Sequence, residues 1–69
     1  MSIIRIENPE EFVGLDLNVA QRQIVDHGYE CRIVRMDNVT IHADYKPDYD
    51  PLRCNLTVKV GKVIKATIG

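Results

Sequence analysis

Two cysteines, two histidines and a run of aspartates are the groups in this chain whose types allow chemistry. Cys31 and Cys54 suit either one disulfide or two reduced core thiols. They stand too far apart, with no histidines at finger spacing, to bind zinc. A reactive thiol needs a setting that lowers its pKa, and only Arg53 neighbours Cys54, so a structural cysteine is the better reading. His27 precedes Gly28 at the end of a helical pattern, where the dipole favours a capping cation over a catalytic base. His42 has no second ligand at a useful spacing, so no metal is expected. Asp44, Asp48 and Asp50 serve solvation and turn formation, or an ion pair between Asp44 and Arg53. A calcium loop is disfavoured, because the glycine turn and terminal glutamate are missing. No nucleophile–base or acid–base pair is visible, so the expectation is a non-enzyme without cofactor.

Those aspartates belong to the most distinctive stretch, Ile41 to Arg53. It carries a short tandem repeat, Asp44-Tyr45-Lys46-Pro47 followed by Asp48-Tyr49-Asp50-Pro51. A long, proline-stiffened loop on a tiny scaffold is where another protein would be met.

The scaffold is small. With 69 residues, read as one domain spanning 1–69, it buries only about 60% of its unfolded surface and is marginally stable. A hydrophobic share of 45% is that of an ordinary soluble fold. A net charge of −1 gives no bulk attraction to nucleic acid or anionic membranes. Arg32, Arg35, Lys59, Lys62 and Lys65 fall on strands and could share a face, but no aromatic platform accompanies them. No run nears the roughly 18 apolar residues that span a bilayer. Met1-Ser2-Ile3-Ile4-Arg5 lacks a signal-peptide layout, so the chain is expected to be cytoplasmic or a mature form whose leader was removed.

The elements that must position the loop can be read from periodicity. Ile3 to Ile6 reads as a short strand or extended arm, broken by Asn8-Pro9. Asp16 is an expected N-cap whose carboxylate accepts from first-turn amides. Leu17, Ala20 and Ile24, with Gln21 or Val25, recur at helical spacing, and Gly28 suits a left-handed cap. Tyr29 to Met36 reads as a strand with Cys31 and Ile33 on one side and Arg32 and Val34 on the other. Asp37-Asn38 interrupts it before an extended Val39 to Ile41. Cys54, Leu56, Val58 and Val60 alternate with Asn55, Thr57 and Lys59, the clearest strand pattern in the chain. Gly61-Lys62 is a turn, and Val63, Ile64, Ala66 and Ile68 form a last strand. The predicted fold class is α+β: a single helix packed on a small mixed sheet, with a long exposed loop. The loop is long enough for the strands it joins to pair in parallel.

This order resembles the potato type I serine protease inhibitors, the eglin and chymotrypsin-inhibitor family, and especially its small bacterial and fungal relatives that inhibit elastase-like proteases. Pro9-Glu10 and Phe12-Val13-Gly14 are similar to the family's entry motif. Asp16, Ala20 and Ile24 fit its helix, and Gly28-Tyr29 and Arg32-Ile33-Val34 fit its first strand. Val39-Thr40, Asp44-Tyr45-Lys46-Pro47-Asp48, Arg53, Asn55-Leu56 and Val58 match its loop and following strand. Gly69 matches a terminal glycine common in the family. The resemblance implies a substrate-like loop of Thr40, Ile41, His42, Ala43, Asp44, Tyr45 and Lys46, with the reactive bond at Ala43–Asp44. It implies a serine protease partner of elastase or subtilisin type, because the Ala43 methyl suits a small primary pocket. It also implies support from beneath by Arg53, with Asn55 where many plant members carry a second arginine.

One tetrad, Tyr49-Asp50-Pro51-Leu52, departs from the family pattern as an apparent duplication. Either Ala43–Asp44 remains the reactive bond and the tetrad bulges out on the leaving-group side, or the bond becomes Pro47–Asp48. The first is preferred, since proline fits most primary pockets poorly. Closure entropy rises by only about 0.6 kcal/mol per doubling of loop length, so the geometry of Arg53 matters more. The alternative function is a non-inhibitory interaction module, its lengthened loop serving another protein or self-association as a strand-swapped homodimer.

Overall fold

The computed structural model describes residues 3–41 and 49–69. After an extended arm, a 3-10 turn spans Pro9–Phe12 and helix α1 spans Leu17–Asp26. Four strands follow: β1 at Glu30–Met36, β2 at Val39–Thr40, β3 at Arg53–Lys59 and β4 at Lys62–Ile68. They form one sheet in the order β2-β1-β3-β4, with β1 and β3 parallel and the outer pairs antiparallel. This is the α+β arrangement predicted above, including its parallel pair.

Helix α1 forms where Ala20 and Ile24 can be buried on one face, with Leu17 packed partly against the same core. Val25 lies on the exposed side. The helix ends in a Schellman motif. Gly28, at φ +87°, lets its own amide reach the Val25 carbonyl and the Tyr29 amide reach that of Ile24. Ile24 and Tyr29 are both buried, and the Tyr29 hydroxyl accepts the Ile6 amide. The helix start differs from expectation. Asp16 precedes α1 but makes no side-chain cap; its carboxylate pairs with the Lys62 ammonium at 2.9 Å. The backbone explains the competition. Residues 14 to 17 lie along the start of β4, with Gly14 donating to Val63, Val63 to Leu15 and Leu17 to Gly61. That pairing brings Asp16 opposite Lys62.

Asn8-Pro9 does more than interrupt the arm. It starts the 3-10 turn, with the Asn8 side chain accepting the Glu10 amide. The turn drops Phe12 into the core beside Ile6, Leu56, Val58 and Val63. The Ile3 to Ile6 segment is an arm and not a strand. It is tied to the helix end by the Ile4 amide donating to the His27 carbonyl and by His27 Nδ1 donating to the Ile4 carbonyl at 2.6 Å.

Two bulges reconcile the strands with their neighbours. On β1, Ile33 pairs with Leu56 and Arg35 with Thr57, which leaves Val34 as the extra residue. Strict alternation would have turned Arg35 toward the helix; the bulge sends it to solvent and brings Met36 against the core. On β4, Val58 pairs with Val63 and Thr57 with Lys65, leaving Ile64 extra and half exposed. The inward residues are therefore Val63 and Ala66, three apart.

Candidate functional site

The sheet has two unlike faces. Cys54, Leu56 and Val58 of β3 are buried on the helix side, while Arg53, Asn55 and Thr57 are half-buried on the other. Pairing places Glu30, Arg32 and Arg35 of β1, and Thr67 and Lys65 of β4, beside those polar residues. The second face is thus polar and rich in cations. The segment from Ile41 to Arg53 leaves the sheet beyond β2 and returns at the first residue of β3.

Both roots of that segment are fastened. The Ile41 amide donates to the Val34 carbonyl and so extends the β1–β2 hairpin by one residue. At the returning root, the Asp50 carbonyl accepts the Arg53 amide at 3.2 Å, closing a β-turn with Pro51 at its second position. The Asp50 carboxylate accepts the Leu52 amide at 2.9 Å, an Asx turn on the same residues. The Leu52 carbonyl then accepts the Glu30 amide at 2.8 Å, starting the parallel ladder one residue before β3.

Arg53 lies at the centre of this root. Its Nε and one terminal nitrogen donate to the main-chain oxygen of Gly69 at 3.1 and 2.8 Å. The Gly69 amide in turn donates to the Arg53 carbonyl at 2.9 Å. Gly69 has φ +139°, and a Cβ there would sit 3.3 Å from the Tyr49 ring. Tyr49 therefore lies against Gly69, and a side chain there would be strained by the backbone and would press the exposed ring aside.

These contacts place several expected residues. Arg53, expected to support the loop from beneath, lies at the returning root, and its described fork closes on Gly69. Gly69 is drawn into the same cluster. Asn55 lies on the sheet face away from the helix, between Arg32 and Thr67. Tyr49, Asp50, Pro51 and Leu52, expected to bulge outward, instead build the root turn, with Tyr49 lying on the C-terminal backbone. Thr40 and Ile41 are exposed at the departing root. His42, Ala43, Asp44, Tyr45 and Lys46, together with Pro47 and Asp48, lie outside the described residues. Sequence reasoning missed Glu30 as the ladder's first donor; the Asp-Pro pair at 50–51 was the available turn signal.

Beside the roots, Glu30, Cys31, Arg32, Ile33, Ile41 and Arg53 line an open groove of about 520 Å³. Burial raises the pKa of the Cys31 thiol. Burial, and then the charge of a Cys31 thiolate, push Cys54 up to about 11. Among the described residues no cluster of three metal-ligating side chains occurs, and no helix is long and apolar enough to cross a membrane. The chain matches no family model, no curated protein and no solved structure.

Proposed function

We propose that this chain is a serine protease inhibitor that presents residues 40 to 46 to an elastase- or subtilisin-type active site, with Ala43–Asp44 as the reactive bond. The observation that carries the reading is the fastening of both ends of the loop, above all the Arg53 fork onto Gly69 beneath the returning root. An inhibitor of this kind differs from a substrate by preorganisation. A segment whose ends are fixed loses less entropy on binding, and after attack the new amine stays beside the acyl-enzyme. The resemblance in order and spacing to the potato type I inhibitors adds a reason to place the bond at Ala43.

A second reading rests on exposed apolar side chains flanking the loop and along the sheet edge. Ile41, Tyr49 and Leu52 at the loop's roots, and Val39 on the edge strand β2, are all exposed. A non-inhibitory module that uses this surface for self-association or for another protein would show the same scaffold.

Titration of elastase- and subtilisin-type proteases separates the two. The inhibitor reading expects stoichiometric loss of activity, slow cleavage at Ala43–Asp44 alone, and loss of inhibition in Ala43→Pro. Rapid digestion of the wild type by these enzymes would rule it out for them. A concentration-dependent dimer in light scattering, with no effect on either protease, would favour the second reading.

A further inference from the structure

We propose that Cys31 and Cys54 form a reversible oxidation site, converted by a low-molecular-weight disulfide of the glutathione class into an intramolecular bond between β1 and β3. The two residues are direct partners in the parallel ladder. Partners across a ladder share a face, and both pack on the helix side, Cys54 fully buried in the core and Cys31 against it. Adjacent strands lie about 4.8 Å apart, and disulfides join Cα atoms separated by roughly 4.4 to 6.8 Å. The charge of one sulfur is felt at the other, as neighbouring groups require.

The two thiols differ in access, and this sets the order of events. Cys31 is half-buried at the edge of the helix-side core, whereas Cys54 is fully buried within it. A small disulfide therefore meets the Cys31 sulfur first; Cys54 is shielded. Burial keeps most of Cys31 protonated, so the step is slow; the fraction that loses its proton attacks one sulfur of oxidised glutathione, breaking its S–S bond. A mixed disulfide forms and one glutathione leaves, taking up a proton. The Cys54 sulfur then loses its proton and attacks the Cys31 sulfur, releasing the second glutathione. Two protein thiols are oxidised by two electrons, and one glutathione disulfide is reduced to two thiols. The same exchange runs in reverse, so the state of the bond follows the ratio of oxidised to reduced glutathione.

The bond would fasten β3 to β1 at the residue after Arg53, tightening the returning root of the loop. This site stands independently of protease inhibition. The test exposes the full, folded chain to graded ratios of oxidised and reduced glutathione, then measures intact mass and free thiols after an acid quench. The expected product is a monomer lacking both thiols, with no glutathione adduct, a linked Cys31–Cys54 peptide, unchanged far-UV dichroism, and full reversal by dithiothreitol. Cys54→Ser should stop at a single glutathione adduct on Cys31, whereas Cys31→Ser should stay unmodified while folded. A wild type that keeps both thiols, stops at the Cys31 adduct, links two chains, or oxidises only in denaturant would overturn the proposal.

Discussion

Val60 holds a backbone conformation that its side chain opposes. It lies at φ +51° in the two-residue turn Val60-Gly61 between β3 and β4, with its side chain in solvent. A left-handed conformation costs an L-residue about 1–2 kcal/mol, and branching at Cβ worsens the clash. The first β-turn of the sheet solves the same problem with suitable residues, Asp37 at +51° and Asn38 at +67°. Those turns are also joined, since the Asp37 carboxylate accepts the Val60 amide at 2.7 Å. Val60 is kept in place by this bond and by the hairpin, with no burial in return. Val60→Asn should therefore raise the unfolding free energy by about 1 kcal/mol, read as a higher urea midpoint at unchanged slope. An unchanged midpoint would show that the turn relaxes around valine at little cost.

Elements differ in how far local rules determine them. The end of α1 was legible at Gly28, because only a left-handed residue there frees both amides of the cap. The alternation of β3 was legible because one face of a central strand is wholly buried. The start of α1 was not, since Asp16 is claimed by Lys62 from a strand more than forty residues along. Nor were the bulges at Val34 and Ile64, which exist to satisfy partners that a single strand's pattern does not contain. The candidate site divides in the same way. Arg53 stood out in the sequence, but its fork onto Gly69 depends on β4 ending beside the start of β3. A planar, two-pronged donor is what that contact uses. Arg53→Lys keeps the charge and loses the fork, and should cost about 1–2 kcal/mol of stability. It should also speed exchange of the Gly69 amide more than that of the Leu56 amide in the core. Equal acceleration at both would indicate general loosening and not a local clamp.

For the whole molecule, the buried Cys54 couples the core to alkaline pH. Cys54 is neutral in the fold, its pKa pushed to about 11 by burial and then by the charge of Cys31. A thiol in the unfolded chain titrates near 8.5. Below that pH both states hold the proton, and the thiol adds no slope. Between about 9 and 11 the unfolded chain releases its proton while the folded chain keeps it, so stability falls as pH rises and levels off above the folded value. The loss should be on the order of 1–2 kcal/mol, less than the full shift implies, because so small a domain leaves solvent close to every buried group. Urea titrations across this range should show the decline in wild type and a flatter profile in Cys54→Ala, even though the alanine protein starts lower for want of core volume. The oxidised protein, having no thiol at either position, should also lose the Cys54 contribution to the slope. If wild type and Cys54→Ala decline in parallel, Cys54 titrates alike in both states, and its burial does not control the proton.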